Sequence, residues 1–334
     1  MANYWQIAAG SQGRDYSKDF IRFGMAFVGG KEHALVMSKV KVGDRILLKQ
    51  GRSKLIAAGE VVSRDGKHIG DGDKDWLRDF DGWDLRAYCY VDWHMPPKPL
   101  AVIGLTRSPI QRVRGQNLRD KADKVISDFP AQDGVDSGPK QTRPVEDNEI
   151  IDHLIREGLR PGAAEELTAT FNRIRRLARY YYRRPWEDVR EHEARTFLVI
   201  PLLLALGWAE QQIKIELPAG GRERADIACF SRPYNRNKGE CVLIIETKSF
   251  SQGLYYARNQ VERYAKEFPN CKCIVVSNGY CYKTWERRDD GQFDQKPSGF
   301  LNLLAPKDRY PLDPDNVLGC LEVLRVLLPT SWMS

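Results

Sequence analysis

The sequence has no long hydrophobic run. Its longest apolar stretch is residues 197–209, interrupted by Pro201 and Gly207, whereas a membrane-spanning helix needs about 20 apolar residues. That stretch reads as a buried helix, and no membrane partner is expected. No G-x-x-x-x-G-K-[ST] sequence occurs, so the chain has no ATP-cradling loop, and any motor must belong to a partner. There is also no C-x-x-C pair and no H-E-x-x-H, the usual zinc spacings. Cysteine is sparse and odd in number, seven in 334 residues, which fits a reduced chain better than a disulfide-built one. Cys271 and Cys273 alternate onto one strand face and read as small buried hydrophobes. The opening MANYWQIAAG has no basic stretch followed by an apolar block, so no secretory signal is read and a cytoplasmic location is expected.

What is present is the composition of a globular chain, 42% hydrophobic and 29% charged, with a mean hydropathy of −0.51. Its 334 residues suggest two domains, since single cores rarely grow beyond roughly 250–300 residues. The net charge of +7 is mild, so its placement matters more than its size. Residues 1–130 carry 22 basic and 16 acidic side chains, and the remainder is nearly balanced at 30 against 29. Inside the balanced part, residues 171–184 (FNRIRRLARYYYRR) hold six arginines and no acid. Such a run attracts polyanions.

The chain divides near residues 127–148, which are dense in Pro, Gly, Asp and Ser and have no apolar period. Before them, short β-like runs alternate with glycine turns, such as DRILLKQG and KLIAAGEVVSRDG. A small β-barrel or curled sheet with antiparallel hairpins is expected there. After them, residues 163–182 and 189–206 carry helical spacing. Strands are expected at 213–217, 225–230, 241–247, 272–277 and 280–286, and a helix at 254–268. Leu318, Leu321, Leu324 and Leu328 mark one face of a closing helix. The pattern predicts an α/β domain around a mixed sheet.

The sharpest chemical signal is CVLIIETK at 241–248, where an apolar strand runs into a carboxylate and an amine. Strand alternation puts Glu246 and Lys248 on one face and points Thr247 the other way. Such charges at the end of a buried strand are costly unless paired or bound to an ion. RADIACF, twenty residues earlier, places Asp226 in a second apolar strand, and a hairpin brings it beside Glu246. Two facing carboxylates repel unless a cation sits between them, and hard oxygen ligands favour Mg²⁺ or Mn²⁺. The chemistry that suits this set is metal-assisted hydrolysis of a phosphodiester, with Lys248 orienting the water or stabilising the oxyanion. An E-x-K triplet alone is commonplace on solvated surfaces; order and spacing give this one its meaning.

With these motifs, residues from about 191 to 287 resemble the PD-(D/E)xK nuclease superfamily. The similar group is the nuclease domain at the start of type I restriction motor subunits, with its stand-alone relatives. The matching elements are E-A-R-T from Glu193, P-L-L-L-A-L-G-W from Pro201, R-A-D from Arg224, I-I-E-T-K from Ile244, Q-V-E-R-Y from Gln260 and V-V-S-N-G from Val275. The resemblance implies Asp226 and Glu246 as metal ligands, the Thr247 carbonyl as a further ligand, and Lys248 as the catalytic lysine. It implies that Glu193 is the helix carboxylate supporting the metal site, and that Gln260 and Tyr264 pack near it, Tyr264 touching DNA. Ala225 stands where proline is common before the aspartate.

The front part holds Trp5, Trp76, Trp83 and Trp93, half the tryptophans of the chain. Aromatic walls can hold a flipped base by stacking, although filling a small barrel core is the plainer use. Residues 1–115 resemble an EVE domain of the PUA-like group. The resemblance rests on Tyr4–Trp5, the K-V-G-D turn at Lys41, A-A-G-E-V-V from Ala57 and GWDLRAYCYVDW from Gly82. EVE domains recur fused to modification-dependent restriction nucleases, and the resemblance implies a modified-base pocket near Trp5, Trp83 and Trp93.

The reading is therefore an EVE/PUA-like β-barrel reader at 1–118, a linker at 119–150, a helical Arg-rich connector at 151–190 and a PD-(D/E)xK α/β domain at 191–334. Arg173, Arg176, Arg179 and Arg183 are expected to follow DNA phosphates. The expected function is a Mg²⁺- or Mn²⁺-dependent, modification-dependent endonuclease of phage defence, cutting double-stranded DNA near a cytosine-derived base. A homodimer on DNA is one arrangement compatible with one active site per chain. The alternatives are a nuclease triggered by a nucleotide signal or partner, and a non-catalytic nucleic-acid-binding module.

Overall fold

A computed structural model of the chain describes residues 2–332 except 11–14, 79, 84, 134, 136–137, 141, 183–188, 251–253 and 255–256. It divides into two compact units, residues 1–139 and 140–334. The first is built on strands β1 (Tyr4–Ala8), β2 (Met25–Val28), β3 (Arg45–Gln50), β4 (Lys54–Val61), β5 (Ile69–Asp71), β6 (Ala87–His94), β7 (Leu100–Ala101) and β8 (Ile110–Arg112). Helices α1 (Ser17–Arg22), α2 (Lys31–Met37), α3 (Asp75–Arg78) and α4 (Gln116–Asp128) accompany them. The sheet runs β2-β6-β4-β3-β1-β8, with β5 on β6 and β7 on β4. The expected β3–β4 hairpin forms with antiparallel register, Leu47 opposite Ala58. β1, by contrast, pairs with β3 in parallel. The glycine of A-A-G-E-V-V has a packing reason. A Cβ on Gly59 would sit 2.4 Å from Val91 Cγ1 and 2.5 Å from the Asp92 carbonyl, so β4 approaches β6 this closely only without a side chain.

The tryptophans correct the pocket expected here. On β6 the buried positions Cys89, Val91 and Trp93 alternate with the partly exposed Tyr90, Asp92 and His94, so Trp93 belongs to the core face. Its indole N–H donates to the carbonyls of Phe20 (2.9 Å) and Met25 (3.3 Å). Trp5 is equally interior, its N–H donating to Asp44 Oδ2 at 2.9 Å. Neither offers an open ring face for stacking a base. Trp83 alone of the three is half-buried, 6.1 Å from the Tyr16 ring.

The proposed linker at 119–150 is also corrected. α4 buries Leu118, Ala122 and Val125 against Leu47, Leu55, Ala58 and Val113, a four-then-three spacing that gives one apolar stripe. At its other end, α5 (Asp147–Arg156) packs in the second unit through Ile150 and Leu154.

The second unit adds α6 (Ala164–Tyr182), α7 (Glu191–Ala194), α8 (Ile200–Ala205), α9 (Ala257–Ala265) and α10 (Cys320–Leu327). Its strands are β9 (Ile213–Pro218), β10 (Arg224–Phe230), β11 (Cys241–Thr247), β12 (Cys273–Ser277), β13 (Cys281–Glu286) and β14 (Gly299–Asn302). The sheet order is β14-β13-β12-β11-β10-β9. Among the described residues of this sheet, β11–β12 is the one parallel pair, and α9 lies in the crossover that such a pair requires. Both strands are buried along their whole length, as expected where each face is covered. This is the mixed α/β sheet anticipated from the sequence. Among the described residues, the expected connector at 151–190 instead packs into the second unit, α5 on α10 and α6 on α8; residues 183–188 lie outside them. α6 buries Leu167, Phe171, Ile174 and Ala178 on one face. The closing helix uses Val323, Leu324 and Leu327 as its buried face, while Leu318 precedes it and pairs with Gly299.

Candidate active site

β10 and β11 run antiparallel, with Ile227 opposite Ile245, so the next step along each strand sets Asp226 against Glu246. The β10–β11 pairing stops there, and the Asp226 side chain takes over. Its Oδ2 accepts from the Thr247 amide (2.7 Å) and from the Thr247 hydroxyl (2.8 Å). Thr247 thus turns its hydroxyl toward the site, where simple alternation sent it away. Strand geometry relaxes at the last residue of β11, and the carboxylate captures the freed donor.

Glu246 is 2% exposed and Lys248 follows at the strand end, its Nζ donating to Glu246 Oε1 at 2.5 Å. The same Nζ donates to Gln260 Oε1 at 3.2 Å, and Gln260 Nε2 donates to the Tyr264 hydroxyl at 2.5 Å. One turn of α9 separates Gln260 from Tyr264, so both project from one helix face toward the end of β11. Asp226, Glu246, Thr247, Lys248, Gln260 and Tyr264 therefore converge.

The carboxylate that joins them from the helix is Glu191. Ligand atoms of Glu191, Asp226 and Glu246 lie within 4.8 Å of one another. Glu193, expected in that place, instead accepts from the Arg190 amide at 2.8 Å and caps the start of α7. Two positions along a helix turn a side chain by about 200°, so only one of the two glutamates can face the sheet.

Arg195 is a member that the sequence reading missed. It lies four residues after Glu191, at the start of a wider π turn over Arg195–Val199 that joins α7 to α8. Its side chain is 9% exposed, and its fork donates to Asp226 Oδ1 (2.9 Å) and Glu216 Oε1 (2.8 Å).

The electrostatics follow from this crowding. Unit charges no more than 4.8 Å apart repel by roughly 3 kcal/mol or more at an effective dielectric of about 20. Burial first, and then the Asp226 charge, push the Glu246 carboxyl up to about 8, against the pull of Lys248. Burial, and then Asp226, raise Glu191 as well. For Lys248, burial works to lower the ammonium, but Glu246, with Glu191 and Asp226, more than reverses it, so its pKa is raised. One atom stands out. Glu246 Oε2 is buried and has no hydrogen-bond partner among the described residues, and a buried acceptor left so costs on the order of 1–3 kcal/mol. A cation between the carboxylates would satisfy that oxygen and relieve the repulsion together. The donor set, three carboxylates with no sulfur or imidazole, fits Mg²⁺ or Mn²⁺.

Residues 188–297 match the family model of the type I restriction enzyme R protein N terminus. The match covers about a third of the 334-residue chain and includes every residue of the cluster. The second unit thus carries a stretch related to restriction enzymes, which hints at a nuclease or DNA-related role. No curated protein matches the chain. Among the described residues no helix is long and apolar enough to cross a membrane.

The arginine run lies before the matched stretch and splits in two. Arg175 points inward, donating through both terminal nitrogens to Asp147 (2.5 and 2.7 Å) and through Nε to the Leu303 carbonyl (2.7 Å). Arg173, Arg176 and Arg179 are exposed on the outer face of α6, with no ion pair among the described residues. Arg183 lies outside the described residues. The end of α6 stands beside the site, with Tyr181 5.5 Å from the Phe250 ring. Burial and then the Glu193 charge raise the Tyr181 phenol.

Proposed function

We propose that the chain is a divalent-metal-dependent endodeoxyribonuclease whose centre is formed by Asp226, Glu246, Glu191 and Lys248. The observation that carries this reading is the buried, unpartnered Oε2 of Glu246, a carboxylate that clusters with two others. A scaffold gains nothing from holding three acids together in a partly buried cluster. Asp226, Glu246 and Glu191 would hold Mg²⁺ or Mn²⁺. When bound, such an ion lowers the pKa of a water and neutralises charge on the phosphate.

The remaining work belongs to the protein. Lys248, fixed between Glu246 and Gln260, presents an ammonium to the phosphate oxygens, where charge grows in the transition state. Tyr264 fixes Gln260 and so the angle of that ammonium. Thr247 and Arg195 between them fix both oxygens of Asp226. Arg173, Arg176 and Arg179 on α6 form a stripe suited to phosphates of double-stranded DNA.

Dependence on a modified base is the finer part of the proposal. It rests on the likeness of residues 1–115 to EVE domains, and not on a three-tryptophan pocket. Digestion of matched duplexes differing only in cytosine modification, with Mg²⁺ or with EDTA, tests both parts. Metal-dependent cutting of the modified duplex alone is expected, with none by Asp226→Ala or Lys248→Ala. Equal cutting of both duplexes would remove the reader and leave the nuclease. No cutting of either, with no Mn²⁺ binding, would remove the nuclease.

A further inference from the structure

Two costly backbone features meet at one guanidinium. The helix carrying Arg195 widens into a π turn from that residue onward. Such turns are rare and concentrate at functional sites. Across from it, Glu216 sits inside β9 with φ at +52°, a left-handed conformation that costs a non-glycine residue on the order of 1 kcal/mol or more. β9 and β10 pair on either side, Ala225 with Leu217 and Ile227 with Ile215, so Glu216 stands opposite Asp226. The π turn swings Arg195 inward, and the left-handed residue swings Glu216 to meet it. The distortion at Glu216 is not needed to fill the core, since its side chain is 56% exposed.

We infer that Arg195 and Glu216 are a positioning pair, in which Arg195 fixes the Asp226 carboxylate while Glu216 holds the guanidinium back from displacing a divalent ion there. This rests on the metal reading proposed above. A planar fork can close on one carboxylate with both terminal nitrogens. Here it is divided instead, one nitrogen on each acid. Asp226 Oδ1 accepts a single bond from the fork and so keeps acceptor capacity for an ion. With all groups ionised, Glu191, Asp226, Glu216 and Glu246 against Arg195 and Lys248 leave an excess of two negative charges, matching one divalent ion. Without Glu216 the fork is free to close on Asp226, and the guanidinium and the ion then compete for the same oxygens.

The test is calorimetric titration of Mn²⁺ into the full chain. Glu216→Gln, an exposed change, is expected to weaken Mn²⁺ binding by about 10-fold, the scale on which outer partners of metal ligands act, with an unchanged circular dichroism spectrum. Adding Arg195→Met to it removes the competitor, so the double variant is expected to regain Mn²⁺ affinity but to lose cleavage, since Asp226 is no longer held. Arg195→Lys, which keeps charge but not the fork, guards against misfolding and is expected to fall between wild type and Arg195→Met in cleavage. A pair that merely holds the fold together would make the double variant no better in Mn²⁺ binding than Glu216→Gln. Unchanged Mn²⁺ affinity in Glu216→Gln, or no recovery in the double variant, would overturn the inference. Absence of Mn²⁺ binding by the wild-type chain would overturn the metal reading and this inference with it.

Discussion

Replacing Glu246 by glutamine should stabilise the metal-free protein, and the gain should depend on pH. The Glu246 carboxyl is pushed from 4.5 up to about 8 in the folded chain by burial and by Asp226. A carboxyl whose folded pKa is raised binds protons more tightly folded than unfolded, so stability falls as pH rises between the two values. From pH 5 to pH 8 a shift of this size removes about 3–4 kcal/mol. Glutamine does not titrate. Its Oε1 can still accept from Lys248, and its Nε2 puts a neutral donor where a buried acceptor had no partner. The assay is urea unfolding of the full chain in EDTA at pH 5, 6.5 and 8. Glu246→Gln should match wild type closely at pH 5 and exceed it by a few kcal/mol at pH 8. A saturating divalent ion should close the gap by stabilising wild type alone, about 2.7 kcal/mol at 100 times Kd. A variant less stable than wild type at pH 8 in EDTA would refute the account of Glu246 as a buried charge awaiting a cation.

Neutralising Arg173, Arg176 and Arg179 together to glutamine should weaken DNA binding and flatten its salt dependence by roughly 2–3 in the log–log slope, at about 0.9 per phosphate contact; an unchanged slope in filter binding would exclude the stripe. Arg175→Met should leave that slope alone and instead destabilise the chain by roughly 2–3 kcal/mol in urea, because it removes the charged bonds to Asp147 and Leu303. Gly59→Ala should lower stability by about 1–3 kcal/mol through overpacking against Val91, read as a reduced melting temperature. Gln260→Ala should keep Mn²⁺ binding yet cut more slowly by about 10–100-fold, since it frees the Lys248 ammonium and no ligand.

Most of the second unit was legible in the sequence because its signals are local. β11 is a seven-residue apolar run that ends in its carboxylate, and α6 has a clear 3.6-residue period. The pairing of Asp226 with Glu246 followed from two apolar strands separated by a Pro- and Asn-rich turn. Glu191 was missed in favour of Glu193 because both are polar positions in one short helix. The choice is decided by where α7 begins, and Glu193 satisfies the Arg190 amide three residues before it. Arg195 was invisible as a site residue, since a buried arginine is recognised only once its two acids are in place, and they come from different strands. In the first unit α4 was taken for linker because its sequence, QNLRDKADKVISD, is mostly polar. Three well-spaced apolar residues sufficed to dock it. The pocket at Trp5 and Trp93 rested on the resemblance to EVE domains, while strand alternation along β6 puts Trp93 on the core side.

The most direct test of the metal centre is an anomalous difference map from crystals soaked in Mn²⁺. The account predicts a peak among the carboxylates of Glu191, Asp226 and Glu246, lost in Glu246→Gln. A map with no peak there, or with one bound elsewhere and unaffected by that substitution, would contradict it.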